Sequence, residues 1–269
     1  EITKQVNMIK DYRYDIKSQI EQIAIETFSP SHSNVQAHIY GSVATGLALP
    51  ESDMDIVITG VNSFGIKENH VAYISSLFDS ILEKFNGKII SKSQKIIYTH
   101  VPIIKLSFNL NEYYENRIKN DPSVLPHINF EEMEAINPNL KELAVDVSIC
   151  DSFDTIEHQG IRAAYFVETN LNQYPVLRPV CLMLKKLLFK YEFNNPYTGG
   201  LGSFSLFLML YAAYFLENMN TYDSFHYDNT HPARLFAYFL TYFGEYFDIS
   251  SMAIMFMQES LPLALPKAC

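Results

Sequence analysis

Apolar residues recur every three to four positions through the first 27 residues. Val6, Ile9, Tyr12, Ile16, Ile20, Ile23 and Ile25 alternate with charged side chains, and this period predicts a helix over 3–27. Ser29-Pro30-Ser31 ends it. Two short β-branched runs, Gln36 to Tyr40 and Asp55 to Thr59, read as strands around a turn-rich segment from Gly41 to Ser52. A helical period over about 70–86 stops at Asn86-Gly87. Ile89-Ile90, Ile96 to Tyr98, Ile103 to Phe108 and Leu143 to Ile149 are strand-like. Residues 110–140 are polar and carry Pro122, Pro126 and Pro138, so they read as a long insertion or surface loop. After Asp154 the texture changes. Segments near 160–170, 175–192, 203–218, 232–246 and 250–257 have helical spacing.

This pattern predicts an α+β protein in two domains. A small mixed sheet occupies 29–154. An all-helical domain occupies 155–269, with the N-terminal helix 1–28 packing on it. Composition agrees: the chain has 269 residues, of which 48% are hydrophobic and 19% charged, which excludes a disordered chain. The longest apolar stretch, Phe204 to Leu216, is too short to span a bilayer and reads as a buried helix, so no membrane partner is expected. Three widely spaced cysteines, Cys150, Cys181 and Cys269, make neither a disulfide framework nor a zinc site, and the eight histidines show no ligand spacing. The chain opens on a polar segment with no secretory signal and no initiator Met, which reads as a piece of an intracellular protein, nuclear or cytoplasmic. The formal net charge of −10 speaks against a broad basic surface for nucleic acid.

Candidate chemistry complicates that last inference. Tyr40-Gly41-Ser42 is followed after ten residues by Asp53-Met54-Asp55-Ile56. Gly41 permits a tight turn that admits a bulky anion, and Ser42 with nearby backbone N–H groups can donate to phosphate oxygens. Asp53 and Asp55, two apart along a strand, face the same side. A third carboxylate, Asp146, stands alone between apolar neighbours in Ala144-Val145-Asp146-Val147, where burial is costly without a cation. Hard oxygen donors of this kind suit Mg²⁺, and three of them can hold two ions. Asp-x-Asp by itself is a common surface turn; the preceding Gly-Ser turn and the apolar run after it make the set distinctive.

The stretch YGSVATGLALPESDMDIVI resembles the signature of the DNA-polymerase-β-type nucleotidyltransferase superfamily. The resemblance implies that Asp53, Asp55 and Asp146 bind two Mg²⁺ or Mn²⁺ ions and that Gly41 and Ser42 lie at the nucleotide. A second stretch, PVLRPVCLMLKKLLFKYEFNNPYTGGLGSFSLFLML, is similar to the central domain of poly(A) and poly(U) polymerases. Its Gly-Gly-Leu-Gly-Ser form most resembles the TRAMP-type poly(A) polymerases rather than the terminal uridylyltransferases. Ser203 also reads as a helix N-cap. By resemblance, Lys185 and Ser203 contact the triphosphate and Phe204 stacks on the base. Many relatives have Tyr at this last position, and Phe keeps the π-face but lacks the hydroxyl. Gln159-Gly160 aligns with an Asn-Gly that contacts the ribose.

The implied function is template-independent addition of AMP from ATP to an RNA 3′ end, with ATP favoured over UTP. The active site would lie in a cleft between the domains. The alternatives are a terminal uridylyltransferase, a synthetase of small nucleotide messengers, and a non-catalytic nucleotidyltransferase-fold subunit of an RNA-processing complex. An Asp-Pro and Asn-rich element that helps relatives select the base is not found before Cys269. Lys84, Lys88, Lys92, Lys95 and Lys105, with Lys185, Lys186 and Lys190, would form a modest basic track near the site. The expected partners are therefore the NTP, an RNA 3′ end held weakly, and a basic RNA-binding protein that supplies affinity.

Overall fold

The computed structural model describes residues 2–29, 31–85, 87–99, 101–121, 140–150, 158–220, 231–255 and 263–266. The chain divides into two compact units, Glu1–Ala164 and Tyr165–Cys269. Pro30, Asn86 and the prolines expected to mark the insertion lie outside the described residues, as do Asp151, Asp154 and Cys269.

In the first unit, α1 (Ile2–Phe28) precedes β1 (Gln36–Tyr40), a short helical turn α2 (Gly41–Ala44), and β2 (Met54–Thr59). There follow α3 (Lys67–Lys84), β3 (Ile90–Ile96), β4 (Ile103–Asn109), α4 (Leu110–Asn120) and β5 (Glu142–Ile149). The sheet order is β1-β2-β5-β4-β3. Only β2 and β5 run parallel; the other neighbours are antiparallel. The sheet is thus two antiparallel pairs, β1–β2 and β4–β3, joined by β5.

The stripe on α1 explains its placement. Ile9, Tyr12, Ile16, Ile20, Ile23, Ala24 and Phe28 are buried and pack with β1, β2 and α3 in one core. Each fully buried Ile of this stripe contributes about 1.5–3 kcal/mol. The sequence grouped this helix with the helical domain, whereas the structure places it in the unit of the sheet. The reason is complementarity of length and face: α1 and α3 cover the side of the sheet that carries Met54, Ile56, Val145, Val147, Ile104 and Leu106.

Two further differences have local causes. Residues 110–120, expected as loop, form α4. Asn109 caps it, its side chain accepting from the N–H groups of Asn111 and Glu112 at 3.1 Å, while Leu110 and Tyr113 are fully buried. Arg117 grips Asp15 of α1 through two hydrogen bonds of 2.8 and 2.9 Å, and Tyr113 donates to the same carboxylate at 2.6 Å. Strand β3 runs through Ser91 to Lys95, polar residues that hide the alternation because β3 is an edge strand exposed along most of its length.

The second unit holds most of α5 (Gln159–Gln173), then α6 (Leu177–Lys190), a 3₁₀ turn (Pro196–Thr198), α7 (Ser203–Asn220) and α8 (Pro232–Thr241), continued by a π-helical turn (Tyr242–Tyr246). Helices α6, α7 and α8 pack on one another, with Val180, Leu184, Phe207, Leu210 and Leu235 buried. The unit is not all-helical as expected. Met252–Met255 forms β6 and pairs antiparallel with β7, Leu263–Pro266. A four-residue apolar run carries no period, so its pairing partner decides its conformation. No helix among the described residues is long and apolar enough to cross a membrane.

Candidate active site

Strand register draws one polar row across the sheet. Tyr40 on β1 pairs with Asp55 on β2, Asp55 with Asp146 on β5, Asp146 with Lys105 on β4, and Lys105 with Gln94 on β3. Residues directly opposite on neighbouring strands share a face. Their sequence neighbours Met54, Ile56, Val145, Val147, Ile104 and Leu106 point into the core, so this row lies on the face that α1 and α3 leave uncovered. Asp53 lies one residue before β2 begins, near enough to Asp146 for the two carboxylates to act on each other.

The segment between β1 and β2 is held from both ends. At its start Gly41 has φ +66° and lies against the Asp55 carboxylate, so that a Cβ there would collide with Asp55 Oδ2. Only glycine satisfies both conditions. Ser42 follows, half-buried, and its carbonyl accepts from Leu47 N–H at 3.0 Å and from the Thr45 hydroxyl at 3.2 Å. At the far end Arg13 reaches up from α1. It is 2% exposed, and its Nη2 donates to the carbonyls of Leu49, Pro50 and Ser52 at 3.2, 3.3 and 2.8 Å. The chain thereby enters Asp53 in a defined direction.

The electrostatics show an excess of negative charge. Burial pushes the Asp53 carboxyl above the usual carboxylate range and the neighbouring Asp146 adds to it; Lys105 and Arg13 oppose the shift. Burial pulls the Arg13 guanidinium down to about 10, against the attraction of Asp53. Burial lifts the Tyr40 phenol to about 12, with Asp55 adding to it. Lys105 Nζ donates to Asp146 Oδ2 at 2.5 Å. Among the described residues no three His, Cys, Asp or Glu side chains stand close enough to hold a metal ion. The donor chemistry nevertheless fits a hard divalent cation. Asp55 and Asp146 are in register, and Asp53 is disfavoured as an anion beside Asp146, which is the charge balance that an added cation relieves.

Gln159 and Gly160 open α5 near this row. Gln159 is exposed. Gly160 lies so close to the Tyr40 ring that a Cβ would overlap it. His158, just before the helix, packs edge-on against Tyr40 with ring centroids 4.8 Å apart, and its Nδ1 accepts from Ile161 N–H at 3.3 Å. Gln159 and Gly160 are therefore in the same unit as the three acids and Gly41 and Ser42.

Lys185, Ser203 and Phe204 belong to the second unit. Lys185 sits on α6 and is 8% exposed, an unusual degree of burial for a lysine. Ser203 is the first residue of α7 rather than its cap: the Gly202 carbonyl accepts the first helical hydrogen bond, from Leu206 N–H at 2.9 Å, so Gly202 occupies the N-cap position. Phe204 is half-exposed and meets Phe166 edge-on at 6.4 Å. The Gly-Gly loop before it is folded by Gly200 N–H to Asn195 O and Leu201 N–H to Phe193 O, both 2.8 Å.

Residues 2–137, half of the chain, match the family described as poly(A) RNA polymerase, mitochondrial-like, central palm domain. The chain belongs to this family. Poly(A) RNA polymerase protein 1 of Saccharomyces cerevisiae is 27% identical over 180 residues, which are 67% of this chain and 22% of that protein. The chain spans less than a third of the length of the curated relatives it matches first. Among solved structures, the polymerase core of TRAMP, an RNA surveillance complex, superposes with a TM-score of 0.64 at 22% identity, covering 95% of this chain and 64% of that one. The Cid1 poly(U) polymerase gives 0.65 at 14% identity, covering 97% of this chain and 74% of that one. These likenesses bear out the expected nucleotidyltransferase fold.

Around the acids of this palm-domain family member stand two residues for which the chain predicts no role, Arg13 and His158, and two expected nearby but without their contacts, Tyr40 beside the Gly-Ser turn and Lys105 in the basic track. Lys105 had a legible signal. In Ile103-Ile104-Lys105-Leu106 a lone cation interrupts an apolar strand, the mirror image of the pattern that singled out Asp146. Arg13 had a weaker one, because it falls on the apolar stripe of α1 beside Tyr12. Tyr40 and His158 had none, since their roles depend on a contact between segments more than a hundred residues apart.

Proposed function

We propose that this chain carries the nucleotidyl-transfer centre of a template-independent RNA 3′-nucleotidyltransferase, with ATP as the favoured nucleotide. The observation that carries the reading is the register that sets Asp55 beside Asp146 with Asp53 two residues ahead, in a palm-domain chain. Support for the substrates comes from relatives named as poly(A) RNA polymerases. In this reading the three aspartates hold two Mg²⁺ or Mn²⁺ ions. Such ions supply positive charge that acidifies an acceptor hydroxyl and steadies a leaving pyrophosphate. The RNA 3′-oxygen attacks the α-phosphorus, its bond to the bridging oxygen of pyrophosphate breaks, and the hydroxyl proton is lost to solvent. The Gly41-Ser42 turn lies beside the phosphates, Gln159 and Gly160 beside the ribose, Lys185 and Ser203 bind the triphosphate, and Phe204 stacks on the base. A basic RNA-binding partner, in nucleus or cytoplasm, supplies affinity for RNA.

The test is a labelled RNA incubated with each NTP and Mg²⁺ or Mn²⁺. Extension with ATP, abolished in Asp53→Ala, is expected. Preferential extension with UTP would reassign the chain to the uridylyltransferases. No extension with any NTP, from wild type or variant alike, would sink the catalytic reading in favour of a non-catalytic subunit.

A further inference from the structure

The ion pair between Lys105 and Asp146 is set by the sheet rather than by chance encounter of two long side chains. Their Cα atoms are direct partners on β4 and β5, and each is flanked by core residues: Ile104 and Leu106 on one strand, Val145 and Val147 on the other. The ammonium therefore meets Asp146 Oδ2 from a fixed backbone, at 2.5 Å. The two partners differ in exposure: the Asp146 side chain is 19% exposed and that of Lys105 44%, so the lysine end of the pair faces water. Arg13, the other cation acting on Asp53, is held inside the protein by three backbone carbonyls.

We infer that Lys105 is a positioning residue that holds Asp146 before a divalent ion binds and competes with that ion for the same carboxylate. The inference rests on the nucleotidyl-transfer reading and deepens it. An ammonium and a divalent cation on one carboxylate repel each other, so a metal ion at Asp146 would require the lysine to yield. Its exposed stem makes this inexpensive. Metal occupancy is thereby coupled to whatever next receives the released ammonium, and an incoming phosphate is the natural recipient. Without substrate the site binds metal weakly; the fold tolerates Asp55 and Asp146 side by side because β4 supplies a resident cation to the pair.

The experiment is a Mn²⁺ titration of the chain without nucleotide or RNA, followed by electron paramagnetic resonance, with melting temperatures recorded in metal-free buffer and in Mn²⁺. Lys105→Met should bind Mn²⁺ roughly fivefold more tightly than wild type, the scale of a partly exposed ion pair. It should also gain more melting temperature from the ion. Lys105→Arg should return the affinity to near the wild-type value. If Lys105→Met does not fold, Lys105→Gln provides the same readout. Damage to the strand would weaken metal binding, so a tighter ion cannot come from a merely structural role. Unchanged or weaker Mn²⁺ binding in the variants, with wild-type binding still lost in Asp55→Asn, would overturn this inference alone. No specific Mn²⁺ binding by wild type or any variant would overturn the metal-dependent reading beneath it as well.

Discussion

The three candidate acids answer to partners far from them in the chain. Asp146 is conspicuous because a carboxylate between Val145 and Val147 needs a partner. Asp53 and Asp55 are conspicuous because Gly41-Ser42 precedes them at a fixed distance. The residues that tune them act across long sequence gaps. Lys105 comes 41 positions before its partner, and Arg13 reaches carbonyls 36 to 39 positions on. No local pattern records such pairings. Ser203 shows the opposite case: its type suits an N-cap, but the neighbouring glycine takes that position. Gly41 offers the sharpest test at this scale. Gly41→Ala forces an L-residue into φ +66° and drives a methyl into the Asp55 carboxylate. We expect a stability loss of about 1–3 kcal/mol in urea unfolding and at least a tenfold loss of RNA extension, because the Asp55 carboxylate must turn away from its place.

Elements with a strong period are read correctly from the chain, and those whose identity rests on a partner are not. The stripe of α1, the alternation of β4 and the apolar run of β5 identify themselves. Helix α4 is masked by its polar surface, although Asn109 marks its start and the Asp15 pairing secures it. Strand β3 is masked by its edge position, and β6 by the lack of any polar residue to show a period. The interface between α1 and β1 has its own electrostatic fastening. Glu21 Oε1 accepts from Ala37 N–H at 2.8 Å, and Lys17 donates to Oε2 at 2.7 Å. Burial raises the Glu21 carboxyl, but these two contacts outweigh it and hold it below its ordinary value. A depressed folded value means that the ionised form is favoured by the fold. The contribution is fully present above the ordinary glutamate range and is lost as pH falls through the folded value. Glu21→Gln should therefore lower the melting temperature at pH 7, by the equivalent of about 1 kcal/mol, and the gap to wild type should close as the pH falls through the depressed value of this carboxyl.

At the scale of the whole molecule the net charge of −10 takes on a specific meaning. Asp55 and Asp146 sit side by side in the sheet, and several of the lysines expected near the site are engaged. Lys92 pairs with Glu142, Lys95 with Asp79 and Lys105 with Asp146. This chain therefore neutralises few phosphates. In fluorescence anisotropy with single-stranded RNA, log K against log[salt] should have a slope of about −2, equivalent to about three phosphate contacts. A slope several times steeper, or tight binding at physiological salt, would contradict it. The order of strands has a consequence for how the protein is made. Two hairpin-like pairs, β1–β2 and β3–β4, can form from nearby segments, but β5 enters last and between them, about ninety residues after β2. Contacts of that span form late. During synthesis, β2 must wait with one edge open, and Asp53 and Asp55 wait with it. The strand that closes the sheet also delivers Asp146 and meets Lys105, so a nascent chain cannot gather its three acids before its scaffold is complete.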